Sequence, residues 1–164
     1  MKTIILMRHA KAEKLSRPNQ RDFDRALDQR GLAQAQQAVE FILEHAEVHP
    51  AWMISSPARR TRQTARPLVD AFDIPPSQWL EAMDLYLGEV DHWLTFLRDL
   101  PASTDHVFCV GHNPTISELA HVLSGQFQEM KTAEVYQLQL EQLSDWADLG
   151  PHTAQLHQSY RPRS

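Results

Sequence analysis

Three short segments carry the residues that could do chemistry. Arg8-His9 follows the apolar run Ile4-Ile5-Leu6-Met7, Ser56 through Arg60 follows Trp52-Met53-Ile54, and Gly111-His112-Asn113 follows His106-Val107-Phe108-Cys109-Val110. Runs of this kind read as buried strands, and in an open parallel sheet ligands bind at the carboxyl ends of the strands. Ser56-Pro57 and Asn113-Pro114 each pair a capping residue with a proline suited to the first helical position. The second and third segments are thereby expected at helix N-termini, where unpaired N–H groups and the helix dipole favour an anion. Two histidines and at least two arginines around such a spot read as a phosphoryl site. A neutral imidazole attacks phosphorus when one ring nitrogen is free and the other N–H is held by an acceptor. Guanidinium groups supply charge to the transferring oxygens.

A helical wheel at about 100° per residue selects one arginine of the second segment. With Arg60 at zero, Ala65, Leu68, Val69 and Phe72 define a core stripe centred near ~120°, while Arg59, Arg62 and Arg66 fall at roughly 200° to 260°. Only Arg60 lies at the edge of the buried stripe in the first turn, beside Thr64. The other three form a solvated back face.

The elements that must position these residues alternate. Ile4 to Met7 reads as a strand, followed by a helix with apolar positions Leu32, Ala35, Val39, Ile42, Leu43 and Ala46, capped by Asp28 and ended by the His45 to Pro50 region. Trp52 to Ile54 is a second strand, with a helix from Ser56 to about Phe72. His106 to Val110 is a third, followed by a helix through Ile116, Leu119, Ala120 and Leu123 that stops at Gly125. Residues 89–99 read as a further helix, and Val135 to Leu140 and Ala154 to Tyr160 as two more strands. Residues 10–27, 73–88 and 144–152 read as irregular. The expected fold is α/β, a three-layer αβα arrangement with a mainly parallel central sheet, in a single domain over residues 1–164.

Composition narrows the function classes. The 164 residues are 42% apolar and 23% charged with a net charge of −5, which argues against coating nucleic acid or an anionic membrane. Eight of the 16 cations nevertheless lie in residues 1–30, and residues 67–157 carry only Arg98 and Lys131 against fourteen acids, so a local anion pocket is expected. Cys109 is the only cysteine, which excludes an intramolecular disulfide and a thiolate zinc site and fits a reducing cytoplasm. The apolar run at the N-terminus stops at Arg8, short of a signal peptide, and no segment approaches a membrane span. His45 and His49 are spaced to grip a metal on a helix, but Pro50 ends that helix and no third ligand is evident. Trp52, Trp79, Trp93 and Trp146 read as core or rim packing.

Together and in order, these motifs resemble the histidine phosphatase superfamily, the phosphoglycerate-mutase-like fold. Its Arg-His-Gly opening appears as Arg8-His9-Ala10, its Ser-x-x-x-Arg-x-x-x-Thr segment as Ser56 to Thr64 with Arg60 in the arginine place, and its late Gly-His pair as Gly111-His112. The short length, the Asp24-Arg25-Ala26-Leu27 segment before Arg30-Gly31, and Val110-Gly111-His112-Asn113-Pro114 look most like the small SixA-type phosphohistidine phosphatases. The resemblance implies that His9 is the nucleophile and forms a phosphohistidine intermediate. It implies that Arg8, Arg60 and His112 hold the phosphoryl oxygens, that Arg25 adds a further phosphate or substrate contact, and that no metal or other cofactor takes part. It also implies a phosphohistidine-bearing protein as partner, such as a histidine phosphotransfer domain or a phosphotransferase-system carrier.

The chain departs from the family pattern in two places. Ala10 replaces the motif glycine, and the carboxylic acid that mutases and sugar-phosphate phosphatases of the family use as proton donor has only Glu81, Asp84 and Glu89 as candidates, none clearly in register. The stretch from Glu81 to Asp105 is too short to build much of a lid, and an open site suits a phosphorylated protein. A small-molecule phosphomonoesterase and a non-catalytic phosphate-binding module are the alternatives. The presence of all four core residues favours an enzyme.

Overall fold

The computed structural model describes residues 1–48 and 50–163. His49 lies outside the described residues, and with it half of the His45/His49 pair. Strand β1 (Lys2–Arg8) runs through the middle of the molecule and is wholly apolar over Ile4 to Met7 because it is covered on both faces. Its alternate side chains feed two cores. Ile4 and Leu6 pack with Trp93, Ile116 and Leu119, and Ile5 and Met7 pack with Ala35, Val39, Leu68 and Phe108.

Helix α1 (Gln29–His45) follows, and the Asp28 side chain caps it by accepting from the Gly31 N–H at 2.7 Å. Its buried face is Gly31, Gln34, Ala35, Ala38, Val39 and Ile42. Leu32 and Leu43, expected in the stripe, are 50% and 52% exposed. The small residues Gly31, Ala35 and Ala38 make the inward face, which turns the buried stripe roughly 60° from the one that apolarity alone suggests. After β2 (Trp52–Ser55) comes α2 (Arg59–Ala71), and α1 and α2 cover one face of the sheet. Helix α2 starts later than expected, with Ala58 rather than Ser56 at its N-cap position. The Ser56 hydroxyl accepts from the Ala58 N–H at 3.2 Å and its carbonyl accepts from the Thr61 hydroxyl at 2.8 Å, so serine closes a turn ahead of the helix.

Residues 73–88 are less irregular than they read. They hold β3 (Trp79–Glu81), a three-residue strand, and α3 (Asp84–Leu87), a single turn, both too short to leave a periodic signal. Helix α4 (Val90–Arg98) matches the helix read over 89–99, with Glu89 and His92 forming a reciprocal cap. Strand β4 (His106–Gly111) leads into α5 (Thr115–Ser124), whose N-cap is Pro114 rather than Asn113, and which ends at Gly125 in the left-handed region. Strands β5 (Val135–Leu140) and β6 (Gln155–Tyr160) complete the sheet as expected. Residues 10–27 and 144–152 each hold one short 3₁₀ turn, Asp22–Asp24 and Trp146–Asp148.

The described strands form one sheet in the order β3-β2-β4-β1-β5-β6. The β1–β4, β2–β4 and β2–β3 pairs are parallel, and β5 runs antiparallel to both of its neighbours, so five of the six strands point the same way. Helices α1 and α2 lie on one face and α4 and α5 on the other, the three-layer αβα arrangement. No helix among the described residues is long and apolar enough to cross a membrane.

Gly31 brings α1 close against the Lys11 backbone in the segment after β1. A Cβ there would lie 2.0 Å from the Lys11 carbonyl oxygen, and backbone cannot yield as a side chain can. Gly31→Ala should therefore cost ~1 to 3 kcal/mol in urea unfolding despite alanine's better helix propensity. Leu32→Ala, at the neighbouring exposed position, should cost less than ~1 kcal/mol; the opposite order would mean that α1 is turned the other way.

Candidate active site

The parallel register brings the three motif segments side by side. Arg8 pairs with Gly111 and Ser55 with Val110, so the chain leaves β1, β2 and β4 at one edge of the sheet. His9 continues the ladder by donating its N–H to the Gly111 carbonyl at 3.0 Å, and the Ala133 N–H closes behind it on the carbonyls of Arg8 and His9, both at 3.1 Å. Ala133 holds a φ of 59° to do so. Such backbone costs on the order of 1 kcal/mol at a non-glycine residue and is kept where surrounding structure enforces it.

The His9 ring is 8% exposed, and its Nδ1 lies 2.7 Å from the carbonyl oxygen of Ala10. A carbonyl only accepts, so Nδ1 carries the proton and Nε2 keeps its lone pair. Burial is the main reason that the ring's pKa falls to about 4; the Arg60, Arg8 and Arg25 charges lower it further, and the bond to Ala10 opposes them. Ala10 needs no glycine-like backbone: it is not among the positive-φ residues, its methyl group is fully buried, and its N–H donates to the Thr64 hydroxyl at 3.0 Å. That hydroxyl donates in turn to the Arg60 carbonyl at 2.7 Å, which ties the His9-Ala10 segment to the first turns of α2.

The His112 ring centroid lies 5.3 Å from that of His9. His112 Nε2 sits 2.7 Å from the Ser56 hydroxyl, which already accepts from the Ala58 N–H. The oxygen keeps a second lone pair, so the direction of this bond follows the tautomer of the His112 ring. Burial, then the neighbouring His9 ring and Arg60, hold the His112 pKa at about 3.

Arg60 is 5% exposed, whereas Arg59, Arg62 and Arg66 are exposed, in keeping with the wheel. The back face is not wholly solvated: Arg62 Nε pairs with Glu81 at 2.6 Å and Arg66 lies over the Trp79 ring. Arg8 is half-buried and donates to the Met130 carbonyl at 3.1 Å. That carbonyl also accepts from Asn113 Nδ2 at 2.8 Å, while Ser117 bridges Asn113 Oδ1 and the Met130 N–H. Asn113, read from sequence as a helix cap, instead joins α5 to the loop that holds Arg8.

Arg25 is drawn in through Asp22, which the motifs do not mark. Arg25 Nε donates to Asp22 Oδ1 at 2.9 Å, Arg60 Nη2 to Oδ2 at 2.9 Å and the Tyr86 hydroxyl to Oδ2 at 2.6 Å. Tyr86 packs edge-on against His112 and Phe23. The i,i+3 spacing of Asp22 and Arg25 was a visible signal for the first of these residues; nothing in the sequence pointed to Tyr86. Burial by itself would raise the Asp22 carboxyl, but the hydrogen bonds from Tyr86 and Arg60 and the charge of Arg60 prevail and bring it to about 2. Glu81 is taken by Arg62 and Glu89 caps α4, and neither these two nor Asp84 hydrogen-bonds to Arg8, His9, Arg60 or His112 among the described residues.

Five buried side-chain polar atoms among the described residues have no hydrogen-bond partner, and three of them are Arg8 Nε, Arg60 Nε and His112 Nδ1. Buried donors left unpaired are costly in a finished fold. Three of them lie on residues that surround His9, two as guanidinium N–H donors and one as an imidazole nitrogen, so the site holds polar groups that the protein itself leaves unpaired.

Comparison with known proteins agrees with this fold. A family model described as the histidine phosphatase superfamily (branch 1) matches residues 4–106. An uncharacterized chloroplastic protein of Arabidopsis thaliana is 33% identical over 149 residues, covering 83% of this chain and 65% of the relative, so the chain spans about two thirds of that relative's length. Among solved structures, a protein of Nakamurella multipartitia assigned as the phosphohistidine phosphatase SixA superposes with a TM-score of 0.80 at 28% identity, over 99% of this chain and 97% of the other. One from Agrobacterium tumefaciens with the same assignment gives 0.81 at 24% identity over 98% of each chain. The protein histidine phosphatase SixA complexed with tungstate gives 0.76 at 20% identity, over 96% of this chain and 95% of that one. The last two likenesses speak for the fold.

The two buried rings set a pH dependence whose sign is fixed. Both bind a proton less readily in the folded chain than a free histidine does, so the unfolded state binds more protons below about pH 6.5. The stability they contribute is complete above ~6.5 and declines as the pH falls toward the folded values of about 4 and about 3. Proton NMR should show the Cε1–H shifts of His9 and His112 constant from pH 8 to pH 5; a midpoint near ~6.5 for either ring would contradict the assignment.

Proposed function

Because the chain belongs to the histidine phosphatase superfamily, we propose that it is a phosphatase that removes the phosphoryl group from phosphohistidine on a protein, with His9 as covalent nucleophile. The observation that carries this reading is the free Nε2 of His9, its proton fixed on Nδ1 by Ala10, with the His112 ring 5.3 Å away and Nε of Arg8, Nε of Arg60 and Nδ1 of His112 left unpaired.

In the first step the Nε2 lone pair forms a bond to phosphorus as the bond from phosphorus to the leaving nitrogen breaks, the electron pair departing with the leaving group. Arg8, Arg60 and His112 bear the charge on the three peripheral oxygens, which in a loose transition state is most of what catalysis requires. Water then takes the phosphoryl group from His9 and inorganic phosphate leaves. A phosphohistidine whose other ring nitrogen is protonated departs as neutral imidazole and needs no general acid. An alkyl phosphate must expel an alkoxide, for which a positioned acid is worth ~10² to 10⁴ in rate. Glu81 and Glu89 are engaged elsewhere, which favours the phosphohistidine substrate over a sugar phosphate. Histidine phosphotransfer domains and phosphotransferase-system carriers are the substrate proteins that this chemistry suggests, and a cytoplasmic setting accords with their chemistry.

A turnover screen tests the reading. Rates should fall in the order phosphohistidine peptide, aryl phosphate, alkyl phosphate, and Glu81→Gln, Asp84→Asn and Glu89→Gln should each leave phosphohistidine hydrolysis within ~10-fold of wild type. Fastest turnover of a sugar phosphate, abolished by one of these substitutions, would replace this reading with a phosphomonoesterase. Tight binding of phosphohistidine peptide without release of phosphate would instead indicate a binding module. Arg60→Ala should lower kcat/KM by ~10² or more, while Arg62→Ala and Arg66→Ala change it less than ~3-fold, since exposed ion pairs of the Arg62–Glu81 kind contribute little. Equal losses at Arg60 and Arg62 would show that the wrong face of α2 has been assigned.

A further inference from the structure

Asp22 stands out because it places a negative charge inside a site built for an anion. It opens the 3₁₀ turn Asp22–Asp24, between β1 and α1, and its side chain is 41% exposed. Its Oδ1 lies 2.9 Å from both Nε and Nη2 of Arg25, its Oδ2 accepts from Arg60 Nη2 and Tyr86, and its main-chain carbonyl accepts from Arg60 Nη1 at 2.8 Å. Two guanidinium groups thus grip one carboxylate with N–H groups of the kind that phosphoryl oxygens use. The Nε groups of Arg8 and Arg60 and Nδ1 of His112 remain unpaired.

A phosphoryl site with three arginines around one histidine faces a difficulty on its product side. Inorganic phosphate carries the same oxygens as the substrate, and binding energy spent equally on both lowers KM and product inhibition constants without raising kcat. A fixed anion on the rim counters that. Its field reaches the core of the site: the Asp22 charge acts on the His112 ring against the depression caused by burial, His9 and Arg60.

Resting on the phosphatase reading, we infer that Asp22 is a positioning residue for Arg25, Arg60 and Tyr86 whose fixed charge also weakens retention of inorganic phosphate, so that product leaves the site. The two parts of the role separate by sign. A carboxylate that only positioned the arginines would, when removed, leave phosphate bound more weakly. A carboxylate that opposes the dianion leaves it bound more tightly, since a unit charge within several ångströms of a phosphate at an effective dielectric near 20 outweighs a modest loss of alignment.

The experiment is calorimetric titration of the full-length chain with inorganic phosphate, alongside orthovanadate inhibition of aryl phosphate hydrolysis. Asp22→Asn, with a Tm close to wild type, should bind phosphate and vanadate ~10-fold more tightly while kcat falls. Tyr86→Phe removes one donor but keeps the charge, and should leave phosphate affinity within ~3-fold. Asp22→Ser gives the same readout should the asparagine variant not fold. Equal or weaker phosphate binding in a folded Asp22 variant overturns the inference and leaves the phosphatase reading standing. A wild type that binds neither phosphate nor vanadate overturns both.

Discussion

The hydrogen bond from His9 Nδ1 to the carbonyl of Ala10 is the constraint on which the site depends. It fixes the tautomer, and the tautomer decides which nitrogen can attack. It can do so only because the ring is buried among arginines, where an imidazolium would be disfavoured twice, by desolvation and by like charge. The arginines that gather around the ring therefore also keep it neutral.

Everything around that ring holds its approach. The β1–β4 register places Gly111 across from Arg8, so His112 arrives beside His9 directly from the neighbouring strand. Gly111 has no side chain for a packing reason, since a Cβ there would lie 2.7 Å from the buried Trp93 ring. Thr64 ties the His9-Ala10 segment to α2, and the Asn113–Ser117–Met130 bonds tie Arg8 to α5. Helices from both faces of the sheet thus meet at one strand-end edge, which makes the donors around His9 a property of the whole fold.

How much of this was legible depends on the length scale of each signal. Long, strongly patterned elements could be read: the apolar strands, the Asp28 cap, the Arg60 face of α2 and the stop at Gly125 all stand as the residues indicate. Elements below one period could not, which is why β3 and the single turn of α3 were absorbed into an irregular stretch. Leu32 and Leu43 misled because the inward face of α1 was chosen by close approach of small residues, which hydrophobicity does not register. Ser56 and Asn113 had the composition of helix caps, but each met a better partner in tertiary structure, His112 for one and Met130 for the other. Tyr86 was hidden for the same reason, and Asp22 in part, its i,i+3 spacing to Arg25 being its one local signal. Their roles come from contacts across 38 and 64 residues of chain, with Arg60 and with each other, and no local pattern encodes those.

The central claim is that Nε2 of His9 takes the phosphoryl group, and trapping the phosphorylated chain tests it most directly. Rapid quench of a single turnover with phosphohistidine peptide, followed by ³¹P and ¹⁵N NMR of the denatured adduct, identifies the atom that carries phosphorus. The account predicts an acid-labile, alkali-stable phosphohistidine on Nε2 of His9, absent in His9→Ala. Phosphate attached to Nδ1 or to another residue, or full turnover with no adduct at the earliest quench times, would contradict it.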